Sequence, residues 1–338
     1  MSSEDVVSAL PRIPVAEITT AAAFGDAVKA EKPLMIKGAF AHWPALDAGR
    51  TSPSALNAYF AAMDNGAPAP VMEAPASTKG RFGYSPDLRE FTFSKRQLGL
   101  RETLDRIERQ LDRPGAPVVA IQMLPLASAM PDFMRQNPMP LAPNVAPLLW
   151  LGGPVKTQIH NDRDHNLACV IAGKRRFVLF PPTAVRNLYI GPFDNPPPLS
   201  LVDLDAPDFA RFPKFRDALD GAMAAYVEPG DAVFMPKYWW HHVTSLAPYN
   251  AMVNYWWGDG AQGLERANDA FLTALLALKD LPPGERAYWK EMFDTYVFHA
   301  HGDAVAHIPA ELQGPLGRMS SSVRERLKRA LKAAYLKS

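Results

Sequence analysis

Between Pro117 and Trp257 the chain carries a succession of short apolar and β-branched runs with no amphipathic helix between them. The candidate strands are Pro117–Leu124, Leu148–Leu151, Asn166–Ile171, Arg175–Phe180, Asp231–Met235 and Ala251–Trp257, bounded by Gly, Pro and Asn. Parallel strands need long crossovers, usually helical, and none is visible here. Short strands joined this way point to a sandwich or barrel rather than a βαβ sheet. Many of the 33 prolines cluster in 125–148 and 192–213, which read as loops wrapped around that scaffold.

The flanks are different. Upstream, Thr19–Lys29 reads as a helix and Pro33–Gly38 as a strand. Ser52-Pro53 is a helix start, with serine as cap and proline in the first turn, leading into Ala55–Met63. Phe91–Phe93 is expected to be a strand and Lys95–Leu111 a helix. Downstream, Leu264, Ala267, Phe271, Ala274, Leu275 and Leu278 keep helical spacing, as do Trp289, Met292, Phe293 and Tyr296. Val323, Leu327, Ala330, Leu331 and Ala334 form a last apolar stripe beside Arg324, Arg326, Lys328, Arg329 and Lys332. The expected division is an N-terminal α/β segment (1–116), a β core (117–258) and a C-terminal helical region (259–338).

Two motifs within the β-rich part carry chemistry. Thr157-Gln-Ile-His160-Asn-Asp162 contains His-x-Asp, and Pro236-Lys-Tyr-Trp-Trp-His241-His242-Val243 supplies a second imidazole. Alternate residues of a strand share a face, so His160 and Asp162 point the same way. Two imidazoles and one carboxylate leave coordination positions open, the ligand set of a non-haem Fe(II) oxygenase. The third ligand is His241 or His242. Alternation puts Trp239, His241 and Val243 on one face, and the apolar Val243 favours His241. His-x-Asp alone is a common triplet, and His42, His299, His301 and His307 read as structural or surface residues. The Gly152-Gly153 turn and the Glu228-Pro-Gly-Asp231 turn before the two motifs give the triplet its context.

The formal net charge is +1, so no global field recruits nucleic acid or an anionic membrane. The single cysteine, Cys169, allows no intramolecular disulfide and reads as a small buried residue. The start Met-Ser-Ser-Glu-Asp lacks a basic stretch and an apolar core, and no apolar run reaches membrane-spanning length. A soluble cytoplasmic protein is expected.

Residues Thr157–Pro182 and Glu228–Trp257, taken in order and spacing, resemble the cupin-like, JmjC-type oxygenases, the family of the asparaginyl hydroxylase that modifies hypoxia-inducible factor. The resemblance spans about 117–258; upstream it is weaker, in Pro33–Gly38 and His42-Trp43-Pro44. It implies a mainly β fold with added helices around a double-stranded β-helix, the cupin jelly roll. It implies Fe(II) held by His160, Asp162 and His241, with 2-oxoglutarate as co-substrate and O2 as oxidant. The far carboxylate of 2-oxoglutarate would meet Arg175, two positions after the turn glycine Gly173, where the relative has lysine; Lys174 and Arg176 are fallbacks. Thr157 matches a hydroxyl holding the same carboxylate, and Asn166 and Asn254 match amides lining the pocket. Two asparagines inside strands are locally unfavourable, which agrees with a pocket role. Gln122 and Trp256 would line the substrate side. The position of a co-substrate-binding tyrosine corresponds to Val119, which would remove one hydrogen bond worth about 1 kcal/mol.

The resemblance implies a hydroxylase of a protein side chain, peptide or small molecule, and a homodimer through the C-terminal helices. Two other readings stand beside it: a non-catalytic binding protein on the same scaffold, motivated by Val119, and a metal cupin whose chemistry does not use 2-oxoglutarate. The basic face of the last helix reads as a solvated side opposite a packed one rather than a nucleic-acid site.

Overall fold

Eight consecutive strands build the part of the molecule that holds the two motifs. The computed structural model describes residues 3–113, 115–193, 198–258, 260 and 266–335. The strands before the core are β1 (Val15–Ala16), β2 (Leu34–Ile36), β3 (Pro68–Ala74), β4 (Arg81–Phe82), β5 (Ser94–Gly99) and β6 (Val118–Pro125). The core is β7 (Pro147–Gly152), β8 (Lys156–Asn161), β9 (His165–Ala172), β10 (Arg175–Phe180), β11 (Met223–Val227), β12 (Ala232–Met235), β13 (Trp240–Ser245) and β14 (Asn250–Trp257). One sheet runs β1-β2-β12-β9-β14-β7-β6-β3-β5 and the other β11-β10-β13-β8-β4. The core strands therefore pass back and forth between two layers, as in a double-stranded β-helix. The fold class implied by the resemblance is the one observed.

Burial on both faces explains the near-continuous apolar runs of β9 and β10. Between the layers, Ala168, Val170, Phe177, Leu179, Val233 and Met252 form an inner cluster. On the outer face of the large sheet, Leu149, Leu151, Cys169, Val253 and Tyr255 pack against Trp43, Leu56, Phe60, Ile107 and Phe133. On the outer face of the small sheet, Ile159, Val178 and Phe180 lie in one cluster with Leu188, Val202, Leu204 and Phe215.

The caps read from sequence are in place. Thr20 accepts from the Ala23 amide at 3.3 Å and Ser52 from the Ala55 amide at 3.0 Å. One boundary is corrected. The strand expected at Phe91–Phe93 lies instead at Ser94–Gly99, and the helix expected from Lys95 begins at Leu100. The apolar stripe Leu100, Leu104, Ile107 starts only there, and the polar Lys95-Arg96-Gln97 has nothing to bury as a helix. It pairs instead with Met72, Val71 and Pro70 of β3, a long-range ladder that helix propensity does not anticipate.

Residues Met1–Gly258 and Asp259–Ser338 form two compact units. The second contains helices Ala267–Leu278, Pro283–Tyr296 and Ser321–Tyr335, which carry the predicted stripes; Leu264 lies outside the described residues. None of the three has a buried residue, and Phe271, Leu276, Tyr288 and Trp289 are exposed. No described helix is long and apolar enough to cross a membrane.

Candidate active site

A β-bulge assembles the site. Strand β8 pairs with β13 so that His160 stands opposite His241 and Thr157 opposite Val243. Two residues of β8, Gln158 and Ile159, thus face one of β13, His242. In a regular strand Thr157 and His160, three apart, would lie on opposite faces. The extra residue turns both toward the space between the sheets. It sends Ile159 into the outer cluster and Gln158 to the Tyr84 amide, at 3.3 Å.

The structure brings His160, Asp162 and His241 together, with one ligand atom from each lying within 4.8 Å of the others. His241 Nε2 is 3.6 Å from Asp162 Oδ2, and the two imidazole centroids are 4.3 Å apart. The Nδ1 of His160 is 2.8 Å from the Gln158 carbonyl and that of His241 is 3.1 Å from the Trp239 carbonyl. A carbonyl only accepts, so each Nδ1 carries the proton and each Nε2 keeps its lone pair for the cluster. Burial, with His160 beside it, pushes His241 down to about 4 against the opposing pull of Asp162, so its ring is neutral at pH 7. Asp162 Oδ2 is buried with no hydrogen-bond partner. Two imidazoles, each with Nδ1 against a carbonyl, and an orphaned carboxylate oxygen are a donor set that fits a divalent metal such as Fe(II).

His242 faces the other way. It lies in a buried outer pocket with Lys156, Asp203 and Asp205, and burial pushes it down to about 3.

A cavity beside the cluster is lined by Ala120, Gln122, Trp150, Gly152, Thr157, Arg175 and Val243. Arg175 points inward with Phe177 and Leu179. Burial lowers its pKa to about 10, which still leaves it charged at neutral pH. Its Nε is buried without a partner, and among the described residues no acid pairs with it. A buried lone cation is costly and calls for an anion. The two fallback cations are used elsewhere: Arg176 bonds Asp205 at 2.8 Å on the outer face, and Lys174 bonds Glu228 at 2.8 Å at the surface.

Asn254 donates to Asn166 Oδ1 at 2.9 Å, and its own Oδ1 is left buried and unpaired. Trp256 meets Trp150 edge-on at 6.0 Å, and both indole N–H groups are buried without acceptors. Gln122 reaches the cavity through a second bulge: Ile121 pairs with Leu151 and Leu124 with Leu149, leaving Gln122 and Met123 opposite Trp150. Met123 takes φ 60° there, a conformation unfavourable for a side chain of its kind.

The reading of Val119 is corrected. Val119 and Ile121 belong to the outer cluster, while Val118 and Ala120 turn to the other face. Of β6, Ala120, Ile121 and Gln122 line the cavity and Val119 does not, so nothing at Val119 weakens co-substrate binding. Sequence reasoning also missed Trp150. Its signal was the period-two alternation with Leu149 and Leu151, both buried on the outer face.

Residues 20–262 match the model of the cupin-like domain. The chain belongs to the cupin-like domain family, of the JmjC type. This cupin-like domain is 33% identical over 147 residues to human HSPB1-associated protein 1, covering 41% of the chain and 30% of that relative. It is 35% identical over 103 residues to the lysine-specific demethylase JMJ31 of Arabidopsis thaliana, covering 30% of the chain and 19% of the relative. It is 28% identical over 266 residues to human bifunctional peptidase and (3S)-lysyl hydroxylase JMJD7, covering 69% of the chain and 79% of the relative. Less than a third of each of the first two relatives is thus spanned.

Proposed function

We propose that this cupin-like protein is a non-haem Fe(II), 2-oxoglutarate-dependent oxygenase that hydroxylates a protein side chain. The observation that carries the reading is the pairing of an orphaned His160–Asp162–His241 cluster with a buried, unpaired Arg175 in the adjoining cavity. His160, Asp162 and His241 would hold the metal, and Fe(II) there would supply O2 activation at the positions these ligands leave open. Arg175 and Thr157 would hold the far carboxylate of 2-oxoglutarate. Asn166 and Asn254 would line its path, and Gln122 and Trp256 the substrate side. The carbonyl bonds to the two Nδ1 atoms orient the rings. A lysyl hydroxylase and a lysine-specific demethylase among the relatives support a protein side chain over a small molecule.

Val119 faces away from the cavity, which removes the ground for a non-catalytic binding module. A buried guanidinium at Arg175 calls for an anionic ligand, which supports 2-oxoglutarate over a metal cupin that acts on an uncharged substrate.

We propose in addition a homodimer joined through the C-terminal helices. Its support is the second unit, whose three helices bury no residue of their own.

Anaerobic thermal unfolding with Fe(II), with and without 2-oxoglutarate, tests the enzyme reading on wild type and His160→Ala. A ligand at a hundred times its Kd adds about 2.7 kcal/mol. Stabilisation by both, abolished in the variant, is expected. Stabilisation by metal alone would favour another cupin chemistry, and no effect of either would overturn the reading.

A further inference from the structure

The cavity holds a buried, unpartnered donor that the resemblance does not supply. An ionised carboxylate presents about four lone-pair positions. A guanidinium fork at Arg175 fills two of them and the Thr157 hydroxyl a third. The strand facing them contributes Ala120, whose methyl donates nothing, and Gln122, whose amide is not among the buried groups left without a partner. Trp150 stands in the same cavity wall, on β7, and its indole N–H is buried with no acceptor. Gly152, two residues on, is forced small by the approach of β6: a Cβ there would lie 2.6 Å from that of Ala120. The edge-on contact with Trp256 at 6.0 Å braces the Trp150 ring.

We infer that Trp150 Nε1–H is the fourth donor to the far carboxylate of the co-substrate, completing the set that Arg175 and Thr157 begin. This rests on the functional reading above and adds to it a specificity-determining residue. A buried indole N–H with no acceptor is costly, and an acidic ligand entering the cavity relieves that cost together with the isolated charge of Arg175. Trp150 therefore selects 2-oxo acids that carry a second carboxylate.

The test is anaerobic calorimetric titration of Fe(II)-loaded wild type and Trp150→Phe with 2-oxoglutarate and with 2-oxobutyrate, which lacks the far carboxylate. Phenylalanine keeps an aromatic ring and removes the N–H. The expected result is a Kd for 2-oxoglutarate raised about tenfold by Trp150→Phe, with the weaker Kd for 2-oxobutyrate unchanged. Equal weakening of both acids would make Trp150 a packing residue and overturn the inference, as would an unchanged Kd for 2-oxoglutarate. Either result leaves the oxygenase reading standing, because wild type still binds 2-oxoglutarate. Failure of metal-loaded wild type to bind 2-oxoglutarate would overturn both. Urea unfolding of the metal-free proteins checks that Trp150→Phe is folded. Should it not be, Trp150→His, which keeps a ring N–H, against Trp150→Leu, which has none, makes the same comparison.

Discussion

Arg175 and Arg176 are neighbours on β10 with opposite electrostatic fates. Arg176 turns outward to Asp205 at 2.8 Å and Thr244 at 3.2 Å, whereas Arg175 turns inward and, among the described residues, pairs with no acid. An ion pair on one side and a solitary charge on the other mark the inner face as the one that awaits a ligand.

Arg175→Ala should cut affinity for 2-oxoglutarate by about 30-fold or more, on the order of 2 kcal/mol, and leave metal binding intact. Arg175→Met should do the same while stabilising the ligand-free protein, because an uncompensated buried charge is replaced by an apolar chain. Calorimetry and urea midpoints read the two effects. A less stable Arg175→Met protein would mean that the guanidinium has a structural partner.

Removal of one metal-binding group should act on the metal alone. Asp162→Ala, or His241→Ala, is expected to abolish tight Fe(II) binding, measured by metal content after gel filtration. Its metal-free unfolding midpoint should stay near that of wild type or rise, since Asp162 Oδ2 has no partner to lose. Retention of stoichiometric iron by either variant would place the site elsewhere.

Acid should destabilise the metal-free protein well above the carboxylate range. His241 and His242 are depressed by burial to about 4 and about 3. In the unfolded chain both take up protons below about pH 6.5. The native state does not, so stability is full above that pH and falls as pH drops toward 4. Each histidine contributes at most about 1.4 kcal/mol per pH unit. His242→Gln should reduce the slope between pH 6.5 and 5 by one histidine's share in urea titrations; an unaltered slope would rule out a buried neutral His242.

Gly152→Ala should cost about 1–3 kcal/mol, since no rotamer can relieve a Cβ placed 2.6 Å from Ala120 Cβ and 2.7 Å from the Val119 carbonyl. Chemical denaturation measures it. A neutral result would show that β6 and β7 can part without penalty.

Truncation after Gly260 should give a monomer or an insoluble chain. Light scattering on the purified protein decides, and a soluble truncated dimer would remove the C-terminal helices from the interface.

Much of the core was readable because both faces of its strands are buried. The runs in β9, β10, β12 and β14 are long in apolar residues and stopped by Gly or Pro. The same property hid the phase of β6. Val118, Val119, Ala120 and Ile121 are all buried, so alternation alone does not tell which of them faces the cavity. Strand β3 escaped notice because Pro68 and Pro70 argue against a strand, and β5 because its polar residues carry no periodic signal. In the site, His241 was separable from His242 by the company of Val243. Trp150 was invisible as a donor, because only a folded structure reveals which indole lacks an acceptor.

The two-for-one step at Gln158 and Ile159 also bears on how such proteins are recognised. The interval of three between threonine and histidine works only while that extra residue is bulged out. A homologue that paired the same two strands in regular register would need its hydroxyl two residues before the histidine to keep it inside the roll. A pattern that fixes the interval at three would overlook such a homologue, whereas the His-x-Asp triplet would still find it.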